Sequence, residues 1–162
     1  MRARRFAVVT TAVGAALIPA TGAHADKPMI ATGTSTVTSY VFSPAVPPGP
    51  HVTHYDVRAT VQVRGDFVSA SDNPQTLRCM NVQTGQGKTL FHCHGSETLT
   101  GTFRGAPISA ENTFHYTCDA QDNCTGRIRG RITSGPYAGA RTHGFFTSAA
   151  GVVQYTIYVH AH

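Results

Sequence analysis

Apolar and polar residues alternate most clearly between residues 54 and 64. The apolar positions in this segment are Tyr55, Val57, Ala59, Val61 and Val63, each separated from the next by one polar residue. Successive side chains of a β-strand point to opposite faces of the sheet. The alternation therefore predicts a strand with one buried face and one wet face.

Seven other segments have a weaker strand pattern, and no window of useful length shows helical periodicity. They are residues 30–42, 76–82, 89–103, 107–118, 127–133, 142–148 and 152–160. The proline-rich stretch 45–50 predicts a rigid connection outside the hydrogen-bonded ladder. About eight strands joined mostly by short turns predict an all-β fold, a small antiparallel barrel or sandwich.

The first 25 residues have the parts of an export signal in the usual order. Three arginines precede an apolar run at residues 6–18, Pro19 ends the run, and a small-x-small site occupies residues 23–25. The alternative is a buried N-terminal helix. The run is shorter than the roughly 20 apolar residues that span a bilayer, so no membrane-spanning segment is expected. We predict a cleaved signal at residues 1–25 and one secreted domain at residues 26–162.

The net charge is less informative than it first looks. The chain has 13 basic and 8 acidic residues, a net charge of +5. Three of the arginines and none of the acids lie in the predicted signal, which leaves ten basic against eight acidic residues, or +2. We therefore expect no nucleic-acid partner and at most a weak association with anionic cell-surface polymers.

Four cysteines in an exported domain favour two disulfides, which allow three pairings. If the chain folds back at Gln86, antiparallel register places Cys79 directly opposite Cys93. Cys118 and Cys124 would then close the next hairpin. A metal site at His92-Cys93-His94 is the competing interpretation. Neighbouring strand residues point to opposite faces, and no CxxC pair is present, so we expect no metal and no other cofactor.

One acidic residue is predicted to point into the protein. Glu97 has the same strand parity as Leu99 and Phe103, so its carboxylate should face the interior unless a bulge intervenes. A buried carboxylate must be paired, hydrogen-bonded or protonated. It could act as a general acid or base, as a ligand anchor, or in a structural contact. Phe103 and the inward Tyr116 are candidates for ligand contacts beside it.

A row of arginines is the other notable set. Arg127, Arg129 and Arg131 share one face of a predicted strand. Three guanidinium groups could hold an acidic ligand or wall polymer, although such a row is more often a solvated face that discourages edge pairing.

The run from Glu97 to Phe103 resembles the E-x-x-T-G-T stretch of small bacterial barrel proteins, the DUF3224 group, which is related to the allene oxide cyclase-like barrels. The glycine-rich segment 126–146 is similar to their glycine-rich hairpin, and residues 153–158 are similar to their last strand. The resemblance implies an eight-stranded, calycin-like barrel with an interior cavity. It implies no particular reaction, and no catalytic residue is carried over.

Three classes of function remain open. The first is a non-catalytic secreted barrel that binds a small apolar or amphipathic molecule, because a closed eight-stranded barrel can leave room for one. The second is a cyclase or isomerase in which Glu97 handles a proton. The third is a cell-surface interaction protein that acts through the basic face. We favour the first.

Overall fold

Among the residues that the structure describes, the chain forms ten β-strands and no helix. The structure is a computed structural model that describes residues 27–44, 46–49, 51–84, 89–149 and 151–161. The strands are β1 Met29–Phe42, β2 Val46–Gly49, β3 Val52–Gly65, β4 Phe67–Ser69, β5 Asn73–Gln83, β6 Thr89–Phe103, β7 Ala106–Cys118, β8 Cys124–Ser134, β9 Arg141–Ala149 and β10 Val152–His160. The all-β prediction is confirmed, whereas the predicted signal at residues 1–25 lies outside the described residues.

Eight of the described strands form a closed antiparallel ring in the order β1-β10-β9-β8-β7-β6-β5-β3, and pairing of β1 with β3 completes it. The barrel prediction is therefore correct. Two short strands add to the ring, since β4 pairs with the end of β6 and β2 pairs with the start of β3. The prediction that the proline-rich stretch lies outside the ladder is wrong for β2. Its two prolines fall between the paired positions Val46 and Gly49, where the ladder is irregular and a missing N–H is tolerated.

The alternation that predicted β3 decides which side chains enter the barrel. Val57, Ala59, Val61 and Val63 are buried, while the residues between them are exposed or half-buried. A shift of register by one residue would turn this whole apolar set outward, so the burial fixes the register.

The two ends of the barrel differ. At the end where β6 turns into β7, the ring of Phe67 stacks on that of Phe103 with centroids 4.5 Å apart, and Tyr137 meets Phe103 edge-on at 5.0 Å. Phe103 is fully buried. We call this the closed end, and we call the opposite end, where β7 turns into β8, the mouth.

Both predicted disulfides are present, and both lie toward the mouth. Cys79 and Cys93 face each other across β5 and β6 with Cα atoms 4.2 Å apart. Cys118 and Cys124 join the end of β7 to the start of β8 with Cα atoms 4.0 Å apart. The predicted turn at Gln86 lies in residues 85–88, outside the described residues. Cys79 and Cys93 belong to a buried cluster with Val57, Leu77 and Phe114, so the first disulfide is part of the barrel core.

The ring is not equally well paired along its height. β10 pairs with β1 from Met29 to Thr36, whereas β3 pairs with β1 as far as Phe42. Within the described residues, the part of β1 beyond Thr36, nearest the mouth, is therefore hydrogen-bonded to β3 only. A β-bulge between Val37 and Ser39 lies where this change occurs.

Candidate ligand-binding cavity

The middle of the barrel contains a cavity of about 220 Å³. Its wall is mostly apolar, because the inward positions of seven of the ring strands carry aliphatic or aromatic side chains at this height. They include Val37, Val61, Leu99, Phe114, Ile128, Phe146 and Ile157. These side chains therefore line an open cavity instead of filling the interior of the barrel.

A hydrogen-bonded carboxylate occupies one side of this wall. Gln75, Glu97 and Asn112 lie directly opposite one another on β5, β6 and β7. Gln75 Nε2 donates to Glu97 Oε2 at 2.6 Å, and Asn112 Nδ2 donates to Glu97 Oε1 at 2.9 Å. The pairing of β6 is regular through this region, so no bulge turns Glu97 away from the interior. Each oxygen keeps a lone pair for a further donor.

The next strand makes room for this group because it has no side chain there. A Cβ atom at Gly130 on β8 would clash with Asn112 Oδ1 and the Glu111 carbonyl oxygen, and it would lie 2.9 Å from Thr142 Oγ1. The absence of a side chain lets Asn112 lie against the β8 backbone. The amide is thereby held in a position from which its N–H reaches Glu97.

A second polar group faces the cavity close to the first. The Thr142 side chain lines the cavity and is only 5% exposed. Its hydroxyl has no hydrogen-bond partner among the described residues. A buried hydroxyl without a partner costs about 1–3 kcal/mol, and a bound molecule that bonds to it recovers part of that cost.

No basic side chain lines the cavity among the described residues, and Glu97 is the only acidic one. The two amides therefore solvate the carboxylate without neutralising it. A low-dielectric wall strengthens the field of such a charge. The cavity is suited to a hydrogen-bond donor or a cation and unfavourable for a second carboxylate.

The cavity continues toward the mouth into a wider vestibule. The vestibule has a volume of about 610 Å³ and shares Val37, Gln75, Tyr116 and Cys124 with the inner cavity. Tyr40 and Phe42 line it while remaining 62% and 56% exposed. Large apolar side chains that stay this exposed beside an opening are typical of binding sites.

Two tyrosines with raised pKa values stand at the two limits of the cavity. Burial, with a smaller contribution from Tyr55, raises the pKa of Tyr116 to about 12. Burial also raises the pKa of Tyr155 to about 12. The Tyr155 hydroxyl donates to the Arg64 carbonyl at 3.2 Å, which ties it to the closed end. Both phenols are therefore neutral donors at physiological pH.

The three residues proposed from the sequence do not all meet at the cavity. Glu97 and Tyr116 line it. Phe103 does not, since its ring is packed into the closed end. Gln75, Asn112 and Thr142 were missed. Strand parity could have found Asn112, since it shares the buried face of β7 with Ile108 and Ala110.

The outer surface of the barrel carries the basic residues. Arg127, Arg129 and Arg131 are all exposed on β8, as the alternation predicts. His92 and His94 point outward while Cys93 points inward and is crosslinked. Within the described part of the chain, no group of three or more histidine, cysteine or acidic side chains is arranged to hold a metal ion.

The comparisons with known proteins add no family to this description. Neither a scan against known protein families nor a search of curated proteins found a match to the chain. The described residues contain no helix that is long and apolar enough to cross a membrane.

Proposed function

We propose that the protein is an exported barrel that binds one small apolar or amphipathic molecule in its interior, with the polar end of the molecule at Glu97. The observation that carries the proposal is the central cavity of about 220 Å³, with an apolar wall and one hydrogen-bonded carboxylate. Small-molecule sites usually combine such a wall with a few convergent polar groups.

The volume limits the size of the ligand. An apolar cavity of roughly 150 Å³ holds a benzene molecule. The cavity of about 220 Å³ is half as large again and opens into the vestibule. We expect the ligand to have an aromatic or branched aliphatic body of roughly ten non-hydrogen atoms. Longer ligands would extend past Tyr116 into the vestibule.

The polar groups define the chemistry of the other end. Glu97 already accepts one hydrogen bond on each oxygen, and it can accept more. Thr142 offers a hydroxyl that lacks a partner within the described residues. A ligand hydroxyl could donate to the carboxylate and accept from Thr142, and a protonated amine could donate to both oxygens. Both would bind better than an isosteric hydrocarbon.

Export and family membership form part of the same proposal. Two disulfides suit an oxidising compartment, which supports a cleaved signal at residues 1–25 and secretion. The closed eight-stranded ring and the interior cavity support the part of the proposal that rests on the resemblance to the DUF3224 group.

A matched ligand series tests the proposal. Phenethylamine, 4-ethylphenol, ethylbenzene and phenylacetate have similar bodies and differ at the polar end. We expect the amine and the phenol to bind more tightly than ethylbenzene, by calorimetry or ligand-observed NMR, and phenylacetate to bind least. Each added donor should contribute about 1 kcal/mol, or roughly fivefold in affinity.

Variants assign the binding to the cavity. Glu97→Gln should remove most of the preference for the amine, whereas Glu111→Gln, an exposed acid on β7, should leave it unchanged. Ala110→Leu, which fills the wall, should weaken every ligand while the far-ultraviolet spectrum stays native. Equal binding to the parent protein and to Ala110→Leu would refute the proposal. Turnover of a bound ligand that Glu97→Gln abolishes would replace it with the cyclase or isomerase alternative.

A further inference from the structure

A second feature lies on the outside of the barrel, away from the cavity. Four cationic or titratable side chains form one row across adjacent strands: Arg78 on β5, His94 on β6, His115 on β7 and Arg127 on β8. Each member lies directly opposite the next. All four are exposed, and they line a shallow outer groove of about 890 Å³.

The spacing of the row follows from sheet geometry. Neighbouring strands are about 4.8 Å apart, so the four side chains span roughly 14 Å across the sheet. Arg129 adds a further positive position about 7 Å along β8 from Arg127. The groove therefore presents positive groups at steps of about 5–7 Å in two directions.

Few acids balance these groups. Arg78 forms an ion pair with Asp56 at 3.3 Å, but both side chains are more than half exposed, so the pair contributes little. Neither Arg127 nor Arg129 has an ion-pair partner among the described residues. Glu111 lies opposite Arg131, farther along β8 and outside the groove.

Two histidines occupy the centre of the row. The His94 and His115 rings are stacked with centroids 5.9 Å apart. Like charges directly opposite on a sheet repel. The ionisable groups nearest this pair are Arg78 from β5, His92 from β6, and Arg127 and Arg129 from β8; Asp56 and His54 from β3 lie one strand farther, beyond β5. An anion that lies along the row would lower this repulsion and favour the charged form of both rings.

The neighbours of the row indicate what kind of anion fits. Phe145 lies directly opposite Arg127 on β9, lines the groove and is 51% exposed. A half-exposed aromatic ring beside cations can pack against the apolar face of a sugar ring. Three threonines in the groove, at positions 113, 117 and 125, can bond to sugar hydroxyls. The geometry is less suited to nucleobases, since the two histidine rings stack on each other.

We propose that this outer groove binds a linear anionic polysaccharide, and that binding takes up protons through His94 and His115. The polymer's carboxylate or sulfate groups pair with Arg127, Arg129 and the protonated histidines, and a sugar ring packs on Phe145. The groove and the cavity are on opposite faces of the sheet, so the two sites are independent. Failure of one proposal leaves the other standing.

Dextran sulfate is the suitable first probe, because its sulfates stay charged throughout the range in which histidine titrates. Binding measured by calorimetry should be about tenfold tighter near pH 5.5 than near pH 7.5. Affinity should also fall as salt rises, as it does for any polyanion. Polygalacturonate tests the carboxylate form of the polymer, and neutral dextran measures the part due to sugar contacts alone.

Three variants separate the groove from general positive charge. Replacing His94 and His115 together by asparagine should remove most of the pH dependence and leave binding near pH 7.5 in place. Arg127→Gln should weaken binding several-fold at both pH values. Arg64→Gln removes the same charge from the outer face of β3, outside the groove, and should have much less effect.

Several outcomes would overturn the proposal. Equal losses from Arg127→Gln and Arg64→Gln would mean that only net charge matters. Retention of the pH dependence without the two histidines would remove them from the mechanism. Tighter binding of a single-stranded oligothymidylate of matched charge than of dextran sulfate would make the groove a nucleic-acid site. Ala110→Leu fills the cavity and should leave polysaccharide binding unchanged, so it distinguishes binding in the groove from binding in the cavity.

Discussion

The interior carboxylate should be coupled energetically to the amide beside it. Glu97→Leu leaves two amide donors without their acceptor. Gln75 also lines the open vestibule and can turn toward water, so the loss of its acceptor should cost little. Asn112 is only 7% exposed and has no such route. A buried donor without a partner costs about 1–3 kcal/mol, and removal of an uncompensated charge from an apolar wall offsets part of this.

We therefore expect Glu97→Leu to lower the free energy of unfolding by about 1–2 kcal/mol. Asn112→Leu alone strands one carboxylate oxygen and should cost a similar amount. The double variant removes both members of the hydrogen bond, so its cost should be smaller than the sum of the two single costs by about 1–2 kcal/mol.

Urea unfolding measures these values with the disulfides intact. The chain has no tryptophan and six tyrosines, so tyrosine fluorescence and far-ultraviolet circular dichroism are the two signals to compare. Glu111→Gln, the exposed control, should change the free energy by less than about 0.5 kcal/mol. Additive costs in the double variant would show that Glu97 and Asn112 do not interact, and the description of the polar cluster would be wrong.

Three further predictions concern other parts of the barrel. Replacing the Cys79–Cys93 pair by alanine should lower the free energy of unfolding by about 3 kcal/mol, and replacing Cys118–Cys124 by about 2 kcal/mol, since the second loop is shorter. Equal losses in urea would contradict this loop argument. Gly130→Ala should destabilise the barrel and weaken amine binding, because its methyl group would displace Asn112; unchanged affinity would separate the glycine from the site. Tyr116 and Tyr155 should ionise only near pH 12, as read from absorbance at alkaline pH. Their pKa values are raised by folding, so the stability they contribute is complete below pH 10 and is lost between about pH 10 and pH 12. Ionisation of all six tyrosines near pH 10 would refute the burial of these two.

The sequence predicts the local pairings well because turn position and strand parity determine them. The register that places Cys79 opposite Cys93 also places Gln75 opposite Glu97. Applied one hairpin further, the same argument would have found Asn112. Gln75 was missed because the strand was expected to begin at Thr76, whereas β5 begins three residues earlier and includes Pro74.

The sequence does not predict where along the barrel axis an inward side chain lies. Parity correctly places Phe103 inside, but it does not say that this ring fills the closed end while Phe114 borders the cavity. That difference arises from the stagger between strands that are distant in the chain. The outer groove has the same origin, since Arg78, His94 and Arg127 come together only after three registers are known.

The one-sided pairing of β1 near the mouth has a consequence for the traffic of ligands. In a ring that is bonded all round, a molecule wider than the opening can enter only if ladder hydrogen bonds break. Beyond Thr36, β1 has no such bonds to β10 within the described residues. This part of β1 can move away from β10 while it stays paired with β3, and the bulge at Val37 is where the strand would bend. Amide hydrogen exchange should therefore be faster at residues 38–42 than at residues 30–36, and a ligand in the cavity should slow it. The unpaired part of β1 would then open a lateral entrance to the cavity at little energetic cost, while the hydrogen bonds of the rest of the barrel stay intact.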